Sequence, residues 1–145
     1  MMYLDTNIIL YAIERHPTYG NACKRIMHAI ERGHVKVGAS VFVLLEVMGG
    51  LQKLNRSPRS ARRQTPLFSI QENLDALLSL PIVWFEMSIA TVDRVCTHMD
   101  TIHTADALHI ATAELHDIRE ILSADKDFDR VSSLRRIDPL MFQHS

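Results

Sequence analysis

The chain lacks the features that mark several large classes of protein. Its 145 residues include only two cysteines, Cys23 and Cys96, which lie far apart and suggest neither a disulfide framework nor a zinc site. Both are expected to be small buried side chains. No apolar run approaches the roughly 18 residues that a membrane span requires. The N-terminus has no basic region before its apolar stretch, unlike a signal peptide. A cytoplasmic protein is the default expectation.

An excess of charge of one sign is also missing. Lys and Arg number 16 against 17 acidic residues, which gives a net charge of −1. Any nucleic acid would therefore have to be bound by local basic patches rather than by the overall field of the protein. With 47% hydrophobic and 23% charged residues, the composition is typical of a globular domain. We expect residues 1–145 to form a single domain, because we find no linker or internal repeat.

Short apolar strands alternate with amphipathic helices along the chain. The predicted strands are residues 2–4, 35–38, 82–85, 120–122 and 134–137. The predicted helices start at Ile8 and after the N-cap Ser40, and cover residues 18–32, 66–80, 88–99 and 105–116. This alternation predicts an α/β fold, in which a short parallel sheet of four or five strands is covered by helices on both faces.

Four acidic residues are placed where such a sheet binds its ligands, which is beyond the carboxyl ends of the strands. Asp5 follows the first predicted strand, and Asp125 follows the fourth. Glu46 lies about two turns into the helix after the second strand. Asp106 lies in the first turn of the helix that Thr104 is predicted to cap. These acids are the candidate functional residues.

Each acid also has an ordinary structural explanation to be weighed. Asp5 suits an N-cap at a strand-to-helix junction, and Asp106 would complement a helix dipole. Asp125 and Asp127 are both suited to a turn. Glu46 is the exception, because its helix is apolar on every side and is predicted to be buried. A lone glutamate in such a helix is rarely found unless it is paired or liganded, so Glu46 favours a functional site.

Taken together, the acids predict a metal site. Carboxylates that converge on one pocket repel one another unless one is protonated or a cation joins them. Oxygen-only ligands select Mg²⁺ or Mn²⁺ over zinc. Such ions bind phosphate and activate water, so a phosphodiester could be hydrolysed without a protein nucleophile. His103 and His109 lie close to Asp106 in the sequence, and we expect them to be structural or to face phosphate rather than to be catalytic.

Four segments, taken in order, resemble the pattern of the PIN-domain family. They are residues 3–7 (Tyr-Leu-Asp-Thr-Asn), Glu46 in its apolar helix, residues 104–113 (Thr-Ala-Asp-Ala-Leu-His-Ile-Ala-Thr-Ala) and residues 122–128 (Leu-Ser-Ala-Asp-Lys-Asp-Phe). Their order and the chain length are similar to the VapC-type toxins of prokaryotic toxin–antitoxin pairs. The resemblance covers nearly the whole chain.

The resemblance implies a PIN-like three-layer α/β/α fold and a Mg²⁺- or Mn²⁺-dependent endoribonuclease, the toxin of a type II pair. It also implies a homodimer that is inhibited by a VapB-type antitoxin. The family's acidic quartet, both catalytic and metal-binding, matches Asp5, Glu46, Asp106 and Asp125. The family's supporting polar positions, which would orient these carboxylates or contact metal-bound water and phosphate, match Thr6, Asn7 and Ser123.

Two positions depart from the family pattern. Ser123 stands where threonine is more usual, which is a mild change because the hydroxyl is kept. The fourth acid is ambiguous, because Asp127 lies only two residues after Asp125. We prefer Asp125, which directly follows Ser123 and Ala124 as the family pattern requires.

A basic stretch at about residues 52–65 is predicted to be a flexible loop. It contains no acidic residue, and its basic residues are Lys53, Arg56, Arg59, Arg62 and Arg63. Three interpretations stay open: it could follow an RNA backbone, dock an acidic antitoxin, or be a solvated loop. Lys126 and Arg130, close to Asp125, are better candidates for contacts near the scissile phosphate.

Two other functions compete with the nuclease. A PIN-like module could bind RNA or a partner without cutting, although such a module gains nothing from carboxylates that repel one another. A phosphatase on a similar open sheet is a further alternative, disfavoured because no aspartyl-nucleophile loop is evident. Metal binding separates the nuclease from the pure binder.

Overall fold

The computed structural model of the protein describes residues 1–57 and 67–143. Five strands in this part of the chain form one sheet in the order β3-β2-β1-β4-β5. The strands are β1 (Met2–Leu4), β2 (Val37–Ser40), β3 (Ile82–Phe85), β4 (Glu120–Leu122) and β5 (Arg135–Ile137). All four neighbouring pairs are parallel, with Tyr3 opposite both Gly38 and Ile121. The prediction of a short parallel sheet is confirmed.

Six α-helices connect and flank these strands in the described residues. They are α1 (Thr6–Glu14), α2 (Gly20–Glu31), α3 (Val41–Arg56), α4 (Ile70–Ser79), α5 (Ile89–Val95) and α6 (Thr104–Leu115). Short 3₁₀ helices follow at Cys96–His98 and Lys126–Arg130. Among the helices that the structure describes, none combines the length and the hydropathy needed to cross a bilayer.

The sheet separates two apolar cores, because successive side chains of a strand point to opposite faces. Leu4 and Leu122 contribute to a core with α1, α2, α3 and α4. Tyr3 and Ile121 contribute to a second core with α5, α6 and Phe128. The three-layer α/β/α arrangement that the PIN resemblance implies is therefore confirmed.

The strand order creates a switch point between β1 and β4. From β1 the chain moves outward through β2 to β3 on one side, whereas β4 and β5 lie on the other side. In open parallel sheets, the crevice at such a point lies outside the carboxyl ends of the strands and is the usual ligand site. Asp5 directly follows β1 and Ser123 directly follows β4, so the fold brings their side chains to this crevice.

The start of the predicted basic loop is wrong. Residues 51–56 continue α3, which places Lys53 and Arg56 in its last turn. Gly49 and Gly50 do not end the helix, and an added Cβ at Gly50 would lie 2.6 Å from Leu10 Cδ1 of α1. A glycine therefore allows α1 to approach α3 closely. Residues 58–66, which include Arg59, Arg62, Arg63 and Pro66, lie outside the described residues.

Several predicted boundaries also need correction. The second strand occupies residues 37–40 rather than 35–38, and the helix after β1 starts at Thr6 because Asp5 already caps it. The helix predicted over 88–99 ends at Val95 and continues as a 3₁₀ turn. Thr104 does not cap α6; His103 occupies the N-cap position without a capping side-chain bond.

Two predictions of burial are wrong as well. The α3 helix is not buried on every side, because Leu45 is 57% exposed. The case for a functional role of Glu46 therefore depends on the contacts of its own side chain and not on burial of the whole helix. Cys23 is buried as expected, whereas Cys96 is exposed.

Candidate metal centre

Asp5 lies at the end of β1 and is the N-cap of α1. Its Oδ1 accepts a hydrogen bond of 2.8 Å from the Thr6 backbone N–H, and its Oδ2 accepts one of 2.6 Å from Ser123 Oγ. The residue is only 6% exposed. A carboxylate has about four lone-pair sites, so these two bonds leave capacity for a cation. The capping role and a ligand role for Asp5 are compatible.

Glu46 reaches the same region from α3, whose N-cap is Ser40 as predicted. Its Oε1 accepts a hydrogen bond of 2.7 Å from Thr6 Oγ1 and lies 2.5 Å from His109 Nε2. Both contacts involve Oε1, so neither of them uses Oε2. With its side chain 27% exposed, Glu46 is anchored inside the protein but still accessible from outside.

Three carboxylates converge at the start of α6 and the end of β4. One oxygen each from Asp106, Asp125 and Asp127 lies within 4.8 Å of the others, and all three residues are half-buried. The Asp127 backbone N–H donates a 2.9 Å hydrogen bond to Asp125 Oδ1, which fixes the turn that carries both acids. The geometry places both candidates for the fourth acid beside Asp106.

Ser123 connects the acids that follow β1 and β4. The side chain is fully buried, and its Oγ donates to Asp5 and accepts from the Asp125 backbone N–H at 3.0 Å. It also accepts from Asn7 Nδ2 at 3.2 Å, while Asn7 Oδ1 accepts from the Ala124 N–H at 3.3 Å. These are the contacts expected of residues that orient carboxylates, and the Ser123 hydroxyl makes them at the position where threonine is more usual.

Burial and mutual repulsion shift the pKa values of the acids. Burial raises the pKa of Asp106 to about 6, and the charges of Asp5 and Asp125 add to this rise. Burial also raises the pKa of Asp5, although hydrogen bonds from Ser123 and Thr6 oppose it. Carboxylates with a raised pKa bind protons more readily than free carboxylates do. A neighbouring cation would stabilise their charged form.

His109 is the functional candidate whose contacts sequence reasoning missed. The residue is 1% exposed, and its two ring nitrogens contact Glu46 and the Tyr3 hydroxyl. Burial lowers the pKa of His109, but Glu46 and Asp5 outweigh this effect and hold it above its ordinary value. The pKa of Glu46 is correspondingly low, because its contact with His109 outweighs burial. The one available signal was the helical spacing between Asp106 and His109.

The remaining predicted positions lie at the edge of the cluster. Lys126 is exposed, and Arg130, whose side chain is 65% exposed, forms a loose ion pair of 3.7 Å with Asp127. A cleft of about 300 Å³ opens beside Asp127 and is lined by residues 99–104 and Arg130. His103 borders this cleft and makes no capping bond. The cleft therefore borders one of the three clustered acids, Asp127.

The donor set fits a hard divalent cation. Every candidate ligand is a carboxylate oxygen, and Mg²⁺ and Mn²⁺ favour oxygen ligands, whereas zinc sites favour nitrogen and sulfur. Asp106, Asp125 and Asp127 would hold the ion from one side, with Asp5 and Glu46 close enough to influence Asp106 electrostatically. A cation would relieve the repulsion that raises the pKa of Asp106.

The fold has counterparts among known proteins. The family model of the PIN domain matches residues 2–134. The chain belongs to the PIN-domain family. A VapC ribonuclease of Mycobacterium bovis is 26% identical to this PIN protein over 142 residues, which cover 94% of the chain and 99% of the relative.

Solved structures share the fold of this PIN protein. A toxin–antitoxin complex from Klebsiella pneumoniae has a TM-score of 0.66 at 19% identity, covering 96% of this chain and 98% of that one. VapC20 of Mycobacterium tuberculosis, a sarcin-ricin loop cleaving toxin, has a TM-score of 0.68 at 15% identity, covering 89% and 93% of the two chains. At these identities the likeness shows the PIN fold alone.

Proposed function

We propose that this protein is a metal-dependent endoribonuclease and the toxin of a type II toxin–antitoxin pair. The observation that carries the proposal is the convergence of Asp106, Asp125 and Asp127 at the carboxyl edge of a PIN-fold sheet. The VapC ribonuclease of Mycobacterium bovis, similar over nearly its whole length, supports RNA as the substrate. The match to the PIN family over residues 2–134 supports residues 1–145 as one functional unit.

The proposed roles follow from the contacts of each residue. Asp106 and Asp125 hold the cation, with Asp127 as the alternative fourth acid, and Asp5 and Glu46 complete the acidic quartet. Thr6 and Ser123 orient Glu46 and Asp5 through their hydroxyls. Asn7 fixes Ser123 and the backbone of Ala124. These interactions hold the carboxylates in place before substrate arrives, which reduces reorganisation during the reaction.

Mg²⁺ or Mn²⁺, when bound, would activate water and stabilise the charge that develops on the phosphate. The chain's own cations would act on the substrate. Arg130 lines the cleft beside Asp127 and carries a largely exposed guanidinium, so it is placed to bind a phosphate that flanks the scissile bond. Lys126 is the second candidate for such a contact. No serine, cysteine or histidine is required as a nucleophile.

The proposed partners are a VapB-type antitoxin and a second copy of the chain. The fold shared with the Klebsiella pneumoniae toxin–antitoxin complex supports the antitoxin. The homodimer rests on the family resemblance and is tested by the mass of the purified protein in solution. Lys53 and Arg56 at the end of α3 are exposed, and they remain candidates for contacts with RNA or with an acidic antitoxin.

The proposal is tested by incubating the purified protein with total cellular RNA in Mg²⁺ or Mn²⁺, and again in EDTA. Wild type should release discrete fragments only with metal. Asp106→Asn should reduce the rate at least about 100-fold, the upper end of the loss seen for outer partners of a metal site. Asp75→Asn is the matched control, because Asp75 is an exposed acid on α4 that contacts Gln71. It should cleave like wild type.

Other outcomes would point to different functions. Cleavage that persists in EDTA, or that is equal in Asp106→Asn, contradicts the proposed site. Metal binding without cleavage of total RNA would indicate an enzyme that is very selective or that is still inhibited by its antitoxin. The absence of any metal-linked gain in thermal stability would favour a pure binder. Release of phosphate from a small phosphomonoester would instead indicate a phosphatase.

A further inference from the structure

A buried line of hydrogen bonds runs from β2 to Glu46 and is not explained by the acidic quartet. The Ser40 backbone N–H donates to the Tyr3 hydroxyl at 3.0 Å. The Tyr3 hydroxyl contacts His109 Nδ1 at 2.7 Å, and His109 Nε2 contacts Glu46 Oε1 at 2.5 Å. With Nε2 protonated, the tyrosine donates to Nδ1 and the imidazole donates to the carboxylate. Every polar atom in the line then has a partner.

The line is buried from Ser40 as far as His109, and only its Glu46 end is partly exposed. Tyr3 and Ser40 are completely buried, and His109 is 1% exposed. The imidazole also packs against the rings of Tyr3 and Phe42, at centroid distances of 5.5 and 6.0 Å. Side chains in such close packing occupy one rotamer. The imidazole therefore presents Nε2 to Glu46 in a single direction.

The positions of Tyr3 and His109 relate them to the acids. Tyr3 lies on β1, two residues before Asp5, whose backbone is still extended, and His109 follows Asp106 by three residues on α6. Side chains at these spacings share one face of a strand or a helix. The end of β1 and the start of α6 therefore supply two acids of the candidate site, and Tyr3 and His109 lie beside them, with the His109 imidazole contacting a third acid, Glu46 on α3.

The contacts of Glu46 distinguish its two carboxylate oxygens. Thr6 Oγ1 and His109 Nε2 both contact Oε1. A free glutamate samples several rotamers, and binding a cation restricts them at a cost in entropy. Two donors on one oxygen restrict the side chain in advance, and neither of these contacts uses the other oxygen.

We propose that His109, supported by Tyr3, is a positioning residue of the metal centre that fixes Glu46 Oε1 so that Oε2 is offered to the cation. This inference rests on the proposed function, because it assumes that Glu46 serves a divalent cation. His109 acts through Glu46 and does not touch the substrate. Outer partners of this kind typically change metal affinity about 10- to 100-fold when removed.

A second histidine–glutamate pair provides a matched control. His98 Nε2 lies 2.5 Å from Glu114 Oε1, and both side chains are mostly buried. Glu114 lies on α6 two turns beyond Asp106, where it also pairs with Arg94. This contact has the same N–O distance and the same types of side chain as the His109–Glu46 contact. It belongs, however, to the packing of α5 and the 3₁₀ turn against α6. A substitution of His98 therefore measures how much stability is lost with such a contact when no carboxylate of the candidate site is involved.

The test is calorimetric titration of Mn²⁺ into the purified protein without RNA, at one pH, for wild type and His109→Leu. We expect Mn²⁺ affinity to fall about 10- to 100-fold in His109→Leu. His109→Gln keeps an N–H donor at a similar reach and should recover most of the affinity. Tyr3→Phe should weaken binding in the same direction but less, because the imidazole keeps its packing. His98→Leu should lower thermal stability and leave Mn²⁺ affinity unchanged.

The outcomes separate this inference from the proposed function. Wild-type affinity in His109→Leu overturns the inference, even if the protein cleaves RNA. An affinity that falls in His109→Leu and recovers in His109→Gln supports it, even if no RNA is cleaved and the ribonuclease proposal fails. A wild type that binds no Mn²⁺ overturns both. If His109→Leu does not fold, Tyr3→Phe decides, and an unchanged affinity in that variant overturns the inference.

Discussion

Thr6 and Glu46 are 40 residues apart in the sequence and are joined by a hydrogen bond of 2.7 Å between Oγ1 and Oε1. The backbone N–H of the same threonine donates to Asp5 Oδ1 at 2.8 Å. Thr6 opens α1, and Glu46 lies within α3. One residue at the start of a helix therefore holds two carboxylates of the candidate site, one through its backbone and one through its side chain.

Replacing Thr6 with valine should weaken metal binding without disturbing the fold. Thr6→Val keeps the shape and the backbone N–H but removes the hydroxyl donor to Glu46, so we expect a fall in Mn²⁺ affinity of about tenfold. Thr6→Ser keeps the hydroxyl and should bind Mn²⁺ like wild type. The measurement is calorimetry, with circular dichroism to compare the folds. Equal affinities of Thr6→Val and Thr6→Ser would contradict the orienting role.

Asp106 should make the metal-free protein less stable as the pH rises. Its pKa is about 6 in the folded protein against an ordinary value of 3.8. As the pH rises from about 4 to about 6, the folded state keeps a proton that the unfolded state has released, so the free energy of unfolding falls across this window. Asp106→Asn removes this contribution and should gain stability relative to wild type as the pH rises.

The experiment compares melting temperatures of wild type and Asp106→Asn in EDTA between pH 4.5 and 7. The melting temperature of Asp106→Asn relative to that of wild type should rise up to about pH 6 and then level off. A difference that is independent of pH would show that Asp106 titrates normally. Metal affinity of the wild type should also weaken as the pH falls below about 6, because protons then compete for the same carboxylate.

Ser123→Ala should destabilise the protein. The change leaves the buried Asp5 Oδ2 and the Asp125 N–H without the partner that Ser123 Oγ supplies, and such a loss costs about 1–3 kcal/mol. Ser123→Thr keeps the hydroxyl and should cost less. Urea denaturation in EDTA measures both variants. In an Asp5→Asn background the cost of Ser123→Ala should shrink, because the two residues interact directly; full additivity would argue against their coupling.

Asp125 should matter more for activity than Asp127. Asp127 has a 43% exposed side chain and pairs with Arg130, whereas Asp125 accepts the Asp127 N–H and follows the buried Ser123. We expect Asp125→Asn to abolish metal-dependent cleavage and Asp127→Asn to reduce it moderately. Rates at saturating Mg²⁺ compare the two. The reverse order would make Asp127 the fourth acid.

Sequence reasoning was most successful where local patterns decide the structure. The buried run before Asp5 predicted β1, Ser40 capped α3 as expected, and Gly33 follows the end of α2 with a φ of 72°. Such features depend on a few neighbouring residues. The PIN resemblance added the order of the layers.

Features that depend on distant contacts could not be predicted. Tyr3 and His109 are 106 residues apart, and neither the strand period nor the helix period indicates that they meet. The length of α3 also differs from the prediction, because the basic and polar composition of residues 52–56 favours a loop, whereas these residues continue the helix. The exposure of Leu45 shows that an apolar helix need not be buried on every side.

The central claim is that carboxylates from separate elements together hold one divalent-cation centre. It is tested most directly by anomalous diffraction from crystals of the wild-type protein grown with Mn²⁺, measured near the manganese edge. We predict an anomalous peak between Asp106 and Asp125, and no such peak in Asp106→Asn crystals. A saturating Mn²⁺ concentration that gives no peak there, or a peak only at other residues, would contradict the account.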